Sequence, residues 1–401
     1  VKSVELAEIE KPAEPARPAD TAKPVKSAKP QLKTKVSGVD FRHSTTSYKK
    51  APSDKVTVCP AYGRSVSVQA YDASSKKWVT MARYKTKRAY KSVVKIKFGS
   101  YWKHHYKSTY RLYVGAVAGK GGSYEKASKK KSTKPTAAEF SSRGAKAYTS
   151  KKISITYNPV SAKSAIVIDA SNKKVVFEKN PSKRCKIASI TKLMTAILLT
   201  EEYSGNHRVS ITREAAKTPW GIGLKAGDQM AVSNLLYAMM LPSANDAATA
   251  SGIAVSGSTS SFAKKMTSRA RSLGCKNTVY KNAHGLDARG AYSTAYDQAL
   301  IGAYVATSSN TKAIRDAASK KSCKISSVAG RVYSLKSTNK LLGTRGFTGL
   351  KTGTTDDAGP CFCGTFTASN GRTYVSVVLG SKAGKRFTDT QELAKLAKHV
   401  G

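Results

Sequence analysis

The spacing of apolar residues changes character along the chain. Residues 1–50 are rich in Lys, Pro and Ala and show no periodicity, which predicts a disordered spacer. From about residue 54 to 118, apolar and polar positions alternate. Val56 and Val58 are followed by Val66, Val68 and Ala70, then by the runs Trp78–Ala82, Val94–Phe98 and Tyr110–Val114. Short strands at this spacing predict a small all-β sandwich over residues 51–118. Residues 119–151 read as a Lys/Ser/Gly-rich linker. From 152 to 401 the pattern is mixed, which predicts one α/β domain: an antiparallel sheet with an all-helical region between Ser189 and about Ser319. It opens on two strands. An apolar helix runs through Leu193–Leu199. Ser233 is the expected N-cap of a helix that Pro242 ends, and Ala244–Ala254 reads as a second helix of small residues. Late strands are expected at 346–354, 360–368 and 372–381, then a helix over about 388–399 with Leu393, Leu396 and Val400 on one stripe.

Three short motifs stand in order within the mixed region: Ser189-Ile190-Thr191-Lys192, Ser243-Ala244-Asn245 and Lys351-Thr352-Gly353. Ser189 and Lys192, three apart at a helix start, share a face within one turn. A serine hydroxyl attacks only when a neighbour takes its proton, and a lysine can do so when burial lowers its pKa. Each motif alone also fits a structural part: a capping serine with a snorkelling lysine, a helix cap, a basic hairpin. Together, in this order, they match the set used by serine acyl-transferases that employ lysine in place of histidine.

On these residues the region from about Ser161 to Gly401 resembles the D-alanyl-D-alanine carboxypeptidases, which are low-molecular-mass penicillin-binding proteins. Ser164–Asp169 with Val175–Glu178, Ile187–Ala196, Asn282–Asp287 and Tyr292–Asp297 extend the likeness beyond the motifs. The resemblance implies the penicillin-binding/β-lactamase-like fold and an acyl-enzyme on Ser189, with Lys192 as general base. Ser243 would relay a proton to the leaving group. Asn245 would orient Lys192 or bind substrate. Lys351, with Thr352 and Thr354 around Gly353, would grip a terminal carboxylate, and the N–H groups of Ser189 and Thr354 would form the oxyanion hole. Peptidoglycan stem peptides and β-lactam antibiotics are the implied partners, outside the cytoplasm. The 51–118 segment is loosely similar to the immunoglobulin-like or fibronectin-like modules of secreted Gram-positive proteins, on its Trp78 and Tyr110 strands.

Charge bears on partners. With 70 Lys and Arg against 24 Asp and Glu, the net charge is +46. The basic residues are spread along the chain with no recognisable reader module, so nucleic acid is not expected. An anionic cell-wall polymer stands level with a merely solvated basic surface. The cysteines, Cys59, Cys185, Cys275, Cys323, Cys361 and Cys363, form no C-x-x-C or Cys/His cluster, so neither zinc nor any cofactor is expected. Disulfides are permitted, with Cys185 and Cys361 one conceivable pair. No apolar run is long enough for a transmembrane span, and no signal peptide is visible. The chain starts at Val1, so a cleaved signal or an anchor ahead of it is expected. The chain stops soon after its last helix, without the β domain and amphipathic anchor that many relatives add, so attachment at that end is not expected.

Alternatives remain open at this level. A DD-endopeptidase cutting D-alanyl cross-links is one. A class A-like β-lactamase is another, although no Glu-x-x-Leu-Asn is present and the middle motif is Ser-Ala-Asn rather than Ser-Asp-Asn. A non-catalytic wall-binding protein is the third.

Overall fold

The computed structural model describes residues 31–45, 51–99, 107–118, 141, 143–344 and 346–397. The predicted spacer up to residue 30, most of the predicted linker and Val400 lie outside these residues.

Alternation builds the N-terminal part. Its strands are β1 (Lys35–Ser37), β2 (Arg42–Thr45), β3 (Ser53–Cys59), β4 (Ser65–Asp72), β5 (Lys77–Lys85), β6 (Ser92–Lys97), β7 (Lys107–Val114), β8 (Val117–Ala118), β9 (Gly144–Ala145), β10 (Tyr148–Thr149) and β11 (Ile153–Tyr157). One sheet has the order β1-β3-β6 and the other β2-β11-β7-β4-β5, with β10 also on β7. Val56, Val58, Val94 and Ile96 of the first sheet join Val66, Val68, Tyr110, Leu112 and Ile155 of the second in one apolar cluster. Trp78, by contrast, lies on the outer face, with the Arg111 guanidinium 4.3 Å above its ring.

The module is larger than the 51–118 expected. β11, assigned from sequence to the next domain, is antiparallel to β7 and parallel to β2. β1 and β2 fall in the stretch read as spacer, and β9 and β10 in the stretch read as linker. These pieces are too short or too polar to show a period. A buried guanidinium gathers them: Arg64 donates to Thr34 Oγ1 (2.7 Å), to the Pro60 carbonyl (3.1 Å), to the Gly115 carbonyl (2.6 Å) and to the Lys146 carbonyl (2.8 Å). A fixed fork with five donors needs such a set of acceptors once it leaves water.

The second part holds one antiparallel sheet. Its strands are β12 (Ser164–Asp169), β13 (Val175–Lys179), β18 (Phe347–Gly353), β19 (Cys361–Thr367) and β20 (Thr373–Leu379), in the order β13-β12-β20-β19-β18. Both faces are covered. Ile166, Ile168, Cys363, Val375 and Val377 belong to the helical core, while Ala165, Val167, Phe362, Phe366 and Val378 pack with the final helix. Between β13 and β18 the chain forms α1 (Lys192–Glu202), α2 (Arg213–Ala216), α3 (Val232–Met240), α4 (Asn245–Ser256), α5 (Thr259–Ser272), α6 (Ala295–Thr307) and α7 (Lys312–Ser319), and α8 (Arg386–Ala397) closes it. The helical region also contains a small sheet, β14 (Arg208–Ser210) with β15 (Gln229–Ala231), and a hairpin, β16 (Ser322–Ser326) with β17 (Val332–Lys336), follows it. Neither was expected from the sequence.

Ser233 is not the cap of α3. It lies inside the first turn, and the amides of Val232 and Ser233 donate to the carbonyls of His207 and Gly205. Those carbonyls replace a capping side chain. All six cysteines are free thiols, so the Cys185–Cys361 bond considered above does not form.

One carboxylate ties α8 to the start of the sheet. Asp389 accepts from Ser161 N (3.0 Å), Ser161 Oγ (2.7 Å) and Ala162 N (3.1 Å), and it is buried. Asp389→Ala leaves these donors without an acceptor. The expected loss is on the order of 3 kcal/mol, read as a lower thermal midpoint or urea midpoint.

Candidate active site

Three chain segments meet at Ser189. It lies half-buried in a 3₁₀ turn, Ala188–Thr191, that leads into α1. Ala188 is held at φ +49°, which turns the chain sharply just before the serine. Lys192, the first residue of α1, is completely buried. Its Nζ lies 2.9 Å from Ser189 Oγ, 2.7 Å from Asn245 Oδ1 and 2.7 Å from the His284 carbonyl oxygen. Asn245 opens α4. Its Nδ2 donates to the Pro219 carbonyl at 2.8 Å, which leaves Oδ1 toward the lysine. The His284 carbonyl is held by a pinned loop: Asn282 Oδ1 accepts from Gly285 N (2.6 Å), Asn282 Nδ2 donates to Leu286 O (2.9 Å), and Thr195 Oγ1 donates to Ala283 O (2.6 Å).

The arrangement can direct proton transfer one way. A neutral amine has two N–H groups and one lone pair. The Asn245 oxygen and the His284 carbonyl can only accept, so they take both N–H groups. The lone pair is left for the Ser189 hydroxyl proton.

Electrostatics supports the neutral form. Burial first, then the neighbouring Lys351 charge, hold Lys192 well below the usual lysine range, and Asp246 opposes them. The Asp246 carboxylate is itself buried, and its Oδ2 accepts from the amides of Gly223 and Leu224, each at 3.0 Å. Lys351 is pushed down to about 7 by burial and then by the Arg386 guanidinium. The His284 imidazole is held down to about 3, by burial and then by Lys192, and its Nδ1 accepts from Leu286 N at 3.2 Å.

The third segment is β18, the outermost strand of its sheet. Gly353 passes so near the Ser189 turn that an added Cβ would lie 2.9 Å from Ser189 N and from the Ile187 carbonyl oxygen. Only glycine permits that approach. On the other side of the turn, Gly285 at φ +91° lies against the Ala188 carbonyl.

A cavity of about 840 Å³ opens over these residues. Ser189, Ser243, Asn245, Thr352, Gly353 and Thr354 all line it, so the sequence motifs converge. Ser243, at φ +69°, has no hydrogen-bond partner among the described residues. Lys351 does not reach the cavity surface. It is fully buried, and its Nζ donates to the Thr352 carbonyl at 3.0 Å. The cavity wall instead carries the exposed Lys340 and, at the start of α8, Arg386, which sequence reading missed. Arg386 donates to the carbonyls of Gly353 (2.8 Å) and Cys361 (3.2 Å) and to Thr354 Oγ1 (2.6 Å). His284, Asp246 and Trp220 were missed too. Trp220 stands 77% exposed at the mouth, and its carbonyl accepts from Asn245 N. Among the described residues no three His, Cys, Asp or Glu side chains are grouped to hold a metal ion.

Residues 150–383 match the profile of the family described as D-alanyl-D-alanine carboxypeptidase, peptidase S11. The chain belongs to this family. The S11 match spans the Ser189 turn, the Asn245 helix and β18, and it stops just short of Arg386. The chain is 34% identical over 235 residues to the D-alanyl-D-alanine carboxypeptidase DacF of Bacillus subtilis, covering 56% of this chain and 58% of that one. It spans 58% of DacF and 38% of the Escherichia coli relative DacA, so only part of the length of the curated relatives it matches. Penicillin-binding protein D2 of Listeria monocytogenes, solved in an ampicillin-bound form, is 36% identical, with a TM-score of 0.51 over 59% of this chain and 97% of that one. The Streptomyces K15 DD-transpeptidase is 27% identical, with a TM-score of 0.55 over 61% and 98%.

The buried cations of this S11 site make a thermodynamic prediction. Lys351 binds its proton less tightly when folded than when unfolded. Between about pH 7 and the unfolded lysine range, the unfolded chain therefore holds more protons, and stability rises with pH. Buried thiols act oppositely above their ordinary range, because burial lifts Cys361 to about 11 and Cys363 to about 12. The lysine effect is cleanest between about pH 6.5 and about pH 8. Urea midpoints should rise across that interval, and Lys351→Met should flatten the rise.

Proposed function

We propose that the chain is a serine D-alanyl-D-alanine carboxypeptidase that removes the terminal residue from peptidoglycan stem peptides. The observation that carries this reading is the fully buried Lys192 amine, held by two acceptors with its free side 2.9 Å from Ser189 Oγ. Ser189 Oγ attacks the penultimate carbonyl while its proton passes to Lys192. The developing oxyanion is taken by the N–H groups of Ser189 and Thr354. Among the described residues the Thr354 N–H has no acceptor, which suits that role. The C–N bond then breaks, and the departing D-alanine amine receives the proton through Ser243. Water repeats the sequence on the ester, which releases the shortened peptide and restores Ser189.

Substrate recognition follows from the cavity walls. The outer edge of β18 offers its backbone to an extended peptide. Arg386, with Thr354 held at 2.6 Å and Thr352 nearby, supplies the grip on the terminal carboxylate that the sequence reading gave to Lys351. Lys351 acts from behind the strand, where its charge helps to keep Lys192 neutral. Among the described residues that line the cavity there is no glutamate to drive rapid deacylation, and this favours a peptidase over a class A-like β-lactamase. The reading puts the enzyme outside the cytoplasm, secreted or held at the wall. An anionic wall polymer suits its net charge of +46. Among the described residues no helix is long and apolar enough to cross a membrane.

A fluorescent penicillin should label Ser189 in a long-lived adduct, and Ser189→Ala should abolish the label. Rapid release of hydrolysed drug would contradict the reading. Purified protein should shorten a soluble stem pentapeptide faster than it cuts a cross-linked dimer; the reverse order would make it an endopeptidase.

The two cations should separate by substrate. Arg386→Ala should lower kcat/KM by roughly two decades on a peptide acid, and by much less on the C-terminal amide, where the charged contact is absent already. Lys351→Ala should lose roughly two to three decades on acid and amide alike. Removing the Lys351 charge raises the Lys192 pKa. Since Lys192 must be neutral to act, the acid limb of the variant's pH profile should move to higher pH.

A further inference from the structure

The outward face of the β1-β3-β6 sheet is a patch of cations and hydroxyls with one exposed valine, Val93, among them. Alternate residues Val56, Val58, Val94 and Ile96 point into the core, so the positions between them point out. Those outward positions include Lys35 on β1, Lys55 on β3, and Lys95 and Lys97 on β6, all exposed. Lys55 and Lys95 are direct cross-strand partners. Like charges opposite each other destabilise a sheet, and one acidic residue at either place would remove the problem. The outward positions of these strands carry no carboxylate. A few lysines elsewhere pair with acids, Lys107 with Glu178, Lys265 with Glu202 and Lys312 with Asp316, though in so basic a chain most lysines have no acid to meet. Among the described residues none of the four face lysines has an ion-pair partner. At one end the face dips into a hollow of about 650 Å³, lined by Lys35, Lys91, Ser37, Thr57, Tyr90 and Tyr148.

We propose that this face docks a linear polyol phosphate: a chain of phosphodiesters without bases, lying across β3 and β6 with one end in the hollow. The location of such a polymer, an anionic wall component, rests on the reading of the chain as a wall enzyme; the face itself does not. Outward positions repeat about every 6.7 Å along a strand, and neighbouring strands lie about 4.8 Å apart. The face is therefore a grid of ammonium groups that meets a regularly spaced row of phosphates. Lysine suits this task, since a compact ammonium on a flexible stem is a point charge that fits phosphates in many orientations. The outward strand positions hold no arginine and no aromatic ring, and the only rings lining the hollow, Tyr90 and Tyr148, stand at one end, so bases lying along β3 and β6 would find neither a stacking platform nor a planar fork. That favours a polyol phosphate over single-stranded nucleic acid.

The test uses the full chain and labelled poly(glycerol phosphate) of defined length, with anisotropy read across a salt series. Lys55→Gln with Lys95→Gln should weaken binding about tenfold and reduce the log–log salt slope by about one to two. Lys264→Gln with Lys276→Gln, an equal charge change on an exposed part of the second domain, should alter affinity less than about twofold. Lys97→Gln alone, outside the like-charge pair, should cost about threefold. Equal losses from the two pairs would reduce the binding to the diffuse field of a basic chain and overturn the proposal. So would unchanged affinity in the Lys97 variant, or tighter binding of an oligothymidylate with the same number of phosphates. The Lys55/Lys95 variant should melt no lower than wild type, because it removes a repulsion. Every variant should hydrolyse a soluble D-alanyl-D-alanine peptide at the wild-type rate. Failure of docking therefore leaves the Ser189 chemistry standing, and loss of that chemistry leaves the docking result readable.

Discussion

A lysine amine sealed from water gives up its proton easily, and it must then find partners for its N–H groups or the burial is too costly. Lys192 meets both conditions. It is completely buried, it shares the interior with a second buried lysine, and its two acceptors come from segments far apart in sequence, at Asn245 and His284. Asp246 limits the stress. Its carboxylate opposes the effect of burial and of Lys351 on Lys192. Much of the helical region can be read as the scaffold that brings these groups to one amine. α1 supplies it, the start of α4 supplies Asn245 and Asp246, and the 282–287 loop supplies a carbonyl.

The sheet completes the site by closeness. β18 runs at the sheet edge, so one side of its backbone is not committed to a neighbouring strand. Gly353 lets that edge come against the Ser189 turn, and Arg386 ties the end of β18 and the start of β19 to α8 through the Gly353 and Cys361 carbonyls. One guanidinium thus positions the strand end and charges the cavity wall.

Much of this was legible in the sequence. The three motifs name Ser189, Lys192, Ser243, Asn245 and the β18 edge, and alternation marks β18, β19 and β20 to within a residue or two. What escaped did so for physical reasons. His284 contributes a backbone carbonyl, which any residue type could provide, so no side-chain pattern announces it. Arg386 is one basic residue among 70 and lies 35 positions from Lys351; only the packing of α8 on the sheet brings it to the cavity. The module's limits escaped because β1, β2, β9 and β10 are short and polar and are recruited by pairing and by Arg64 rather than by apolar burial. β11 did show its alternation at Ile153, Ile155 and Tyr157, but a period of two cannot say which of two neighbouring sheets a strand will join.

β11 ends at Tyr157 and β12 begins at Ser164, so only residues 158–163 separate the module's sheet from that of the second domain. Val160 within this connection belongs to the apolar cluster that takes in both Tyr157 and Phe177, its carbonyl accepts from Lys179 at 3.0 Å, and Lys107 pairs with Glu178 across the junction. The two parts are clamped together rather than tethered. A clamped pair behaves like a caliper: on the proposed reading, if the module rested on a surface, Ser189 would stand at a set height and angle above it, and bonds at other heights would fall out of its reach.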